Sequence, residues 1–497
     1  MSRPLLAPRR FLAIPWPKLW NLRHNSEMRL AVFFRMVRRW AGRVTPLVFW
    51  TLVLLVVLAP LPLGSNWPGG WFLLATGVGV LLVLWSAGLL VARQAPPVAA
   101  SRVWVALVLF AGVCLWAVVQ WLPWTPEAWH HPLWADAGRV LGRELPGRIS
   151  LNPEETLTAL VRLLTYAGVF WLALQLCRSP ERARRGLQLF VWAGFAYALY
   201  GLFAYFSGAD KILWMEKWAY QGVVTSTLVN RNSYATLAGL ALVCASALFL
   251  DGLGAVLRAK VPARVKARWL LKQLLGPGAP LLVAILVIAT ALLLTESRGG
   301  TLSALLGLVV LMLALLRARA LPGRQVAALS MGFLLLGLAV FALSGAEVAR
   351  RFEHTESSAG GRTAVYALVV RAIGDAPVLG TGYGTFPDVF PLYRDDTIAG
   401  TLFWRKAHDT YLESALELGI PAALALVAAI GTCAGYCWVG IRRRRRDRIY
   451  PAIGVAVTAL VAAHSTVDFS LQIPAVSVSY AFLLGMACAQ SFPRRES

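Results

Sequence analysis

Apolar runs long enough to cross a bilayer, almost free of charge, recur along the whole of this chain. Inside lipid no water is present to bond backbone N–H and C=O groups, so such runs are helices that satisfy their own backbone. Composition agrees. Of 497 residues, 58% are hydrophobic and only 14% are charged, a balance that excludes a soluble protein with one large core. The expected fold is all-α, a polytopic transmembrane helical bundle. Twelve spans are placed at roughly 46–63, 69–92, 103–122, 157–177, 187–207, 233–252, 279–295, 301–316, 325–343, 415–440, 450–467 and 475–490. Residues 1–45 read as a separate cytoplasmic basic segment, either an amphipathic helix of the kind that lies on anionic membrane lipid or a disordered basic tail, and 46–497 as the membrane domain. No interval reads as a cleaved signal peptide.

Charge sets the expected orientation. With both termini inside, the inner segments hold 33 of the 48 Lys/Arg and leave 15 elsewhere, while the 24 acids run the other way. The net charge of +24 is therefore a topology signal, and the basic run Arg442–Arg446 reads as a stop signal beside a span, not as a nucleic-acid site. The six cysteines all fall within or at the ends of apolar runs, so no disulfide framework is expected. The largest outer interval is a loop over 344–414, between spans nine and ten. Chemistry is sought on that side, because sites favour loops held by a rigid scaffold.

At the end of that loop stands Ala407–Pro421, AHDTYLESALELGIP. Asp409, Glu413 and Glu417 recur at intervals of four, placing three carboxylates on one helical face directly after His408. Three further motifs lie on the outer side. Asn230-Arg231-Asn232 opens span six, Glu296-Ser297-Arg298-Gly299-Gly300 turns between spans seven and eight, and Gly360-Gly361-Arg362 precedes a mostly apolar stretch. Spans seven and eight are each roughly 25 Å long, short of a hydrocarbon layer of about 30 Å, so Arg298 is expected below the outer surface. An arginine there needs a partner, for which Glu296 is the candidate, or it serves as an anion site with Gly299-Gly300 admitting a ligand to backbone N–H groups. Arg231 and Arg362 each admit two readings, interfacial arginine or substrate contact. Gly380-x-Gly382-x-Gly384 reads as a tight turn lining a cavity. His464, four residues before Asp468, reads as part of a packed polar pair. No Walker motif, G-x-S-x-G or outer D-x-D occurs, so no metal site is expected.

In order, NRNSYATLAGLAL, ESRGG, GRTAVYALVV, PVLGTGYGTF and AHDTYLESALELGIP resemble the O-antigen ligase and polymerase superfamily over about residues 230–425. The resemblance implies a GT-C-like bundle in a bacterial inner membrane with its active site on the periplasmic face. It implies a metal-independent glycosyltransferase without cofactor, whose donor is a glycan on undecaprenyl diphosphate and whose acceptor is a hydroxyl of a lipid or another glycan, in the making of surface polysaccharide such as lipopolysaccharide. The SRGG arginine maps onto Arg298, the arginine of R-x-x-x-W/Y onto Arg362, and the histidine of H-N-x-Y-L-E onto His408. Asp409 stands where asparagine is usual. Tyr411 and Glu413 occupy the tyrosine and glutamate of that stretch, and Arg231 joins the arginines about the diphosphate. A polymerase of lipid-linked repeats and a protein O-oligosaccharyltransferase share these motifs. A lipid-linked glycan transporter would instead show facing charges midway along several spans and two similar halves.

The orientation is testable with single cysteines at Ser179 and Ser358 in a background whose native cysteines are replaced. An impermeant thiol reagent applied to intact spheroplasts is expected to label position 358 and spare 179. The reverse pattern would overturn the charge-based orientation.

Overall fold

The computed structural model describes residues 44–61, 63–318, 356–396, 398, 403–444 and 447–493, with 323, 331, 332 and 335 between; at 255 and 356–361 it describes the backbone alone. The expected segment 1–45 lies almost wholly outside the described residues, as does the predicted ninth span, 325–343. A helix covers each of the other predicted intervals. They are α1 (Val44–Leu58), α2 (Pro68–Ala92), α3 (Trp104–Trp121), α5 (Pro153–Leu176), α6 (Pro180–Phe206), α7 (Arg231–Arg258), α9 (Ala279–Leu293), α10 (Arg298–Arg317), α14 (Ile420–Arg443), α15 (Ile449–His464) and α16 (Pro474–Ser491). Among the described residues, seven helices are long and apolar enough to cross a membrane, and eight if a bent pair counts as one span. The chain is a multi-pass helical membrane protein.

The pair is α8 (Ala263–Leu275) and α9, bent by 66°. The inner interval 253–278, expected as a connection, is thus mostly helix. Between α3 and α5 lies the short α4 (Leu133–Leu141). The connection from α6 to α7 carries a small hairpin, β1 (Lys211–Ile212) paired antiparallel with β2 (Met215–Glu216).

The bundle is organised around its last helix. Every residue of α16 is buried. Its sequence, PAVSVSYAFLLGMACAQS, is rich in the small residues that let helix backbones approach inside a membrane protein. At Gly485 an added Cβ would lie 2.4 Å from the Phe170 carbonyl oxygen of α5, and at Gly440 of α14 it would lie 2.5 Å from Ser491 Cβ. Cys437 and Cys488 meet across the α14–α16 contact with sulfurs 3.7 Å apart and remain free thiols.

The outer interval 344–414, expected as a loop, is largely helical where it is described. It holds α11 (Glu356–Asp375) and α12 (Phe386–Tyr393), with α13 (Thr410–Leu418) following. Val365, Val369, Phe386, Phe390, Ala407 and Leu416 bury one another in a small core apart from the main bundle. Asp409 starts α13 by accepting from the N–H groups of Tyr411 and Leu412, each at 2.9 Å. The glycine turn seats the other end. Gly380, Gly382 and Gly384 all have positive φ. Gly382 N–H donates to the Glu417 carbonyl at 3.0 Å, and an added Cβ there would meet Ser150 Oγ at 2.5 Å. The turn is packed against α13 and Ser150. Gln120 of α3 completes the seat by donating 2.8 Å bonds to the carbonyls of Leu379 and Glu417.

The carboxylates of α13 point inward. Glu413 accepts from Lys406 Nζ at 2.9 Å and from Ala407 N–H at 2.8 Å. Glu417 accepts from Phe386 N–H at 3.1 Å. Burial, with the nearby Glu413 charge, pushes the Glu417 carboxyl up to about 8 against the opposing pull of Lys406 and backbone N–H groups.

Two expectations follow from this packing. Gly485→Leu is expected to cost roughly 1–3 kcal/mol by overpacking α16 against α5. It should lower the thermal midpoint in detergent, whereas Gly431→Leu, whose Cβ meets nothing within 4 Å, should not. Equal midpoints would remove the close α5–α16 contact. Glu417, raised in the folded state, holds a proton that the unfolded chain releases from pH 4.5 upward, so stability falls as pH climbs from 4.5 to about 8. Glu417→Gln keeps a neutral acceptor and is expected to flatten that part of the stability–pH curve, read as thermal midpoint against pH. An unchanged slope would place the titration elsewhere.

Candidate active site

The four sequence motifs converge at one end of the bundle, and a residue outside them joins them. Asp468, in the connection between α15 and α16, is fully buried. Its Oδ1 lies 3.8 Å from His408 Nδ1, within electrostatic reach and beyond hydrogen-bond length. The same oxygen accepts from Asn232 Nδ2 at 3.2 Å. Asn232 Oδ1 in turn accepts from Ser297 Oγ at 2.8 Å. Ser470 donates to the other carboxylate oxygen. The result is a polar chain, Ser297–Asn232–Asp468, that ends facing the imidazole of His408. Burial alone would raise the Asp468 carboxyl, but His408, His464 and the Ser470 hydroxyl beside it hold it below the usual carboxylate range.

His408 is fixed on several sides. Its ring meets Phe469 and Trp404 edge to face, with centroids 4.8 and 5.7 Å away. Its carbonyl accepts from the Tyr366 hydroxyl at 2.9 Å. The next residue but one, Thr410, donates from N–H to Ser465 and from Oγ1 to Asp468, each to a carbonyl at 2.8 Å. These bonds hold His408 at φ 57°, a left-handed conformation uncommon for any residue with a Cβ. Such strained positions cluster at functional sites.

The expected supporting residues divide differently from the sequence reading. Glu413, on the helical face that follows His408, holds Lys406 and the Ala407 N–H, the segment leading into His408. Asp468 faces the ring. Asp409 caps α13. Tyr411 donates its hydroxyl to the Ala462 carbonyl at 2.9 Å and ties α13 to α15. Glu296 lies 3.6 Å from Arg231.

The arginines surround this network. Arg231 opens α7 with its guanidinium 5.8 Å from the Tyr220 ring centroid. Burial raises the hydroxyl pKa of Tyr220, and the charges of Arg231 and Arg362 both work against that rise. Arg362 acts likewise on Tyr366, the residue that holds the His408 carbonyl. Both arginines are half-buried, while Arg298 is exposed. The helix that Arg298 opens has 20 residues, starting before the apolar run does. At 1.5 Å per residue it reaches about 30 Å, whereas α9 before it has 15 residues and reaches about 22 Å. Gly299 and Gly300 serve packing. Added Cβ atoms would lie 3.2 Å from His464 Nε2 and 2.4 Å from Ala235 Cβ, and the Gly300 N–H is already capped by Ser297 Oγ at 3.2 Å.

Asn232 and Ser297 lie within the sequence motifs and Asp468 four residues after His464, but nothing in the sequence joins the three to His408. Asp468 had one signal, an acid in a short connection between two apolar runs. His464 does not share a hydrogen bond with Asp468; its Nδ1 pairs with Thr236 Oγ1 at 2.6 Å. Among the described residues, no group of three or more His, Cys, Asp or Glu has a geometry that would hold a metal ion.

Comparison with known proteins adds one match. Residues 283–428 fit the family model described as O-antigen ligase. No curated protein matches the chain. The matched segment runs from α9 to α14 and contains Arg298, Arg362 and His408. Over this segment the chain is similar to the O-antigen ligase family.

Proposed function

We propose that this protein transfers a preassembled glycan from undecaprenyl diphosphate to an acceptor hydroxyl on the outer face of the membrane. The observation that carries the reading is the buried Asp468 carboxylate facing His408 Nδ1, with the charges of Arg231 and Arg362 meeting at Tyr220 beside it. A carboxylate on one side of an imidazole orients it and stabilises its protonated form, leaving Nε2 to take a proton. The acceptor O–H attacks the anomeric carbon of the donor, its proton passes to His408, and the bond from that carbon to the diphosphate oxygen breaks. In-line displacement inverts the anomeric configuration. The leaving diphosphate gathers negative charge, which Arg231, Arg298 and Arg362 neutralise with guanidinium forks matched to phosphate oxygens. The exposure of Arg298 suits a group that must reach a ligand.

Chain extension on a lipid carrier and transfer to a protein use the same chemistry. The acceptor separates them. Loss of the gene would leave free lipid-linked polymer and bare acceptor for a ligase, and single-repeat capping for a polymerase.

The roles are tested with purified protein in lipid, measuring donor binding and transfer separately. His408→Asn suits the left-handed backbone but lacks the proton acceptor, so it is expected to bind donor normally and lose transfer by about 10²–10⁴-fold. Asp468→Asn removes the charge facing the ring and is expected to lower turnover with little change in donor binding. Arg298→Lys is expected to weaken donor binding roughly tenfold to a hundredfold, because a point charge does not replace the fork. Transfer at wild-type rate by His408→Asn would remove general-base catalysis from this reading.

A further inference from the structure

Arg162 takes no part in the network around His408. It lies on α5, a membrane-crossing helix, about 14 Å along the axis from Pro153. Its guanidinium carbon sits 5.1 Å from the centroid of the Trp71 ring on α2. Its Nε is buried without a hydrogen-bond partner. Among the described residues no carboxylate pairs with it, whereas Arg231 faces Glu296 and Lys406 is bonded to Glu413. One turn along α5, the Tyr166 hydroxyl is also buried, with the Ser477 side chain near it and no hydrogen bond of its own.

A charged group at this depth is costly. An aromatic face returns less than a full ionic partner in a dry site. The fold therefore supplies Arg162 with a wall and a second polar group, and leaves the anion to come from elsewhere. The surroundings indicate the direction of approach. On α5, Leu157 and Leu164 are 43% and 47% exposed, and on α2, Phe72 and Leu73 beside Trp71 are 59% and 65% exposed. Apolar side chains left bare on spanning helices face acyl chains, so an anion arriving on this flank arrives attached to a lipid. A guanidinium and a phenol match phosphate oxygens, the first as a bidentate fork and the second as a single donor.

We propose that Arg162, Trp71 and Tyr166 form a second anion site, on α2 and α5, that holds the headgroup phosphate of a membrane lipid. The site is built on helices other than those that present Arg231, Arg298 and Arg362. Its occupant lies near the catalytic segment, since the charge of Arg162 is felt at Lys406, two residues before His408.

The test uses the full chain in detergent and phosphatidic acid as the probe, with diacylglycerol as the same lipid lacking phosphate and inorganic phosphate as a soluble competitor. Wild-type protein is expected to retain phosphatidic acid over diacylglycerol. Arg162→Gln is expected to bind phosphatidic acid at least about tenfold more weakly, with Arg162→Lys between them. Binding of the diphosphate-linked donor by Arg162→Gln should stay at the wild-type level, so a failure here is separable from a failure of the transfer reading. Equal phosphatidic acid binding by Arg162→Gln overturns the site. Displacement by equimolar inorganic phosphate overturns the lipid source, leaving a site for a soluble anion. A photoreactive phosphatidic acid on the wild-type chain gives a reading independent of any variant's folding. Labelled peptides are expected from residues 68–92 and 153–176, and their absence rejects the proposal.

Discussion

The buried carboxylate of Asp468 is the interaction on which this end of the protein depends. An unpaired carboxylate in a dry setting is expensive, and here it is matched on every side that the structure describes. Asn232 and Ser470 donate to it, and the imidazoles of His408 and His464 lie close by. Its backbone carbonyl accepts from Thr410. One acid thereby fixes the start of α7, the start of α13 and the connection into α16. Loss of any donor leaves charge uncompensated in the interior, so the site and the local packing share one electrostatic solution.

Much of the architecture was legible because the bilayer allows so few answers. An uncharged apolar run in lipid is a helix, and the runs of this sequence mark the helices of the structure to within a few residues. What could not be read was rank. The composition of α16 differs little from that of its neighbours, yet every one of its residues is buried. Its serines, alanines and glycine look like a weaker span on a hydropathy scale and act as the closest-packing surface in the bundle. The interval after α10 misled for the opposite reason. Its polar content suggested a loop, whereas residues such as Val365, Phe386 and Leu416 suffice for a small core once α13 supplies a third side.

The site divides the same way. The histidine and the arginines stood out because those residue types are rare near apolar runs, and their motifs brought recognition with them. The partners did not stand out. Asn232 and Ser297 are ordinary helix-start residues, and Asp468 is a lone acid far along the chain. Glu413 drew attention by its spacing from His408, but helical spacing placed it on the buried side of α13, where it steadies the backbone before His408 and not the ring. The glycines of the Arg298 turn were legible as a need for closeness. Whether a ligand or a neighbouring helix came close was not, and the structure assigns that closeness to Ala235 and His464.

The bond between Asn232 and Asp468 joins positions 236 residues apart. A chain made from its N-terminus inserts α7, then α10, and then the segment bearing His408 long before the ribosome reaches Asp468. Until that point the arginines and the histidine are in the membrane without the acid that organises them. Completion of the site is thus tied to completion of synthesis. A product cut short before Asp468 carries every motif by which the protein is recognised, yet lacks both the central helix of the bundle and the charge that holds His408 in register, which leaves it open to quality-control proteolysis while still unable to act.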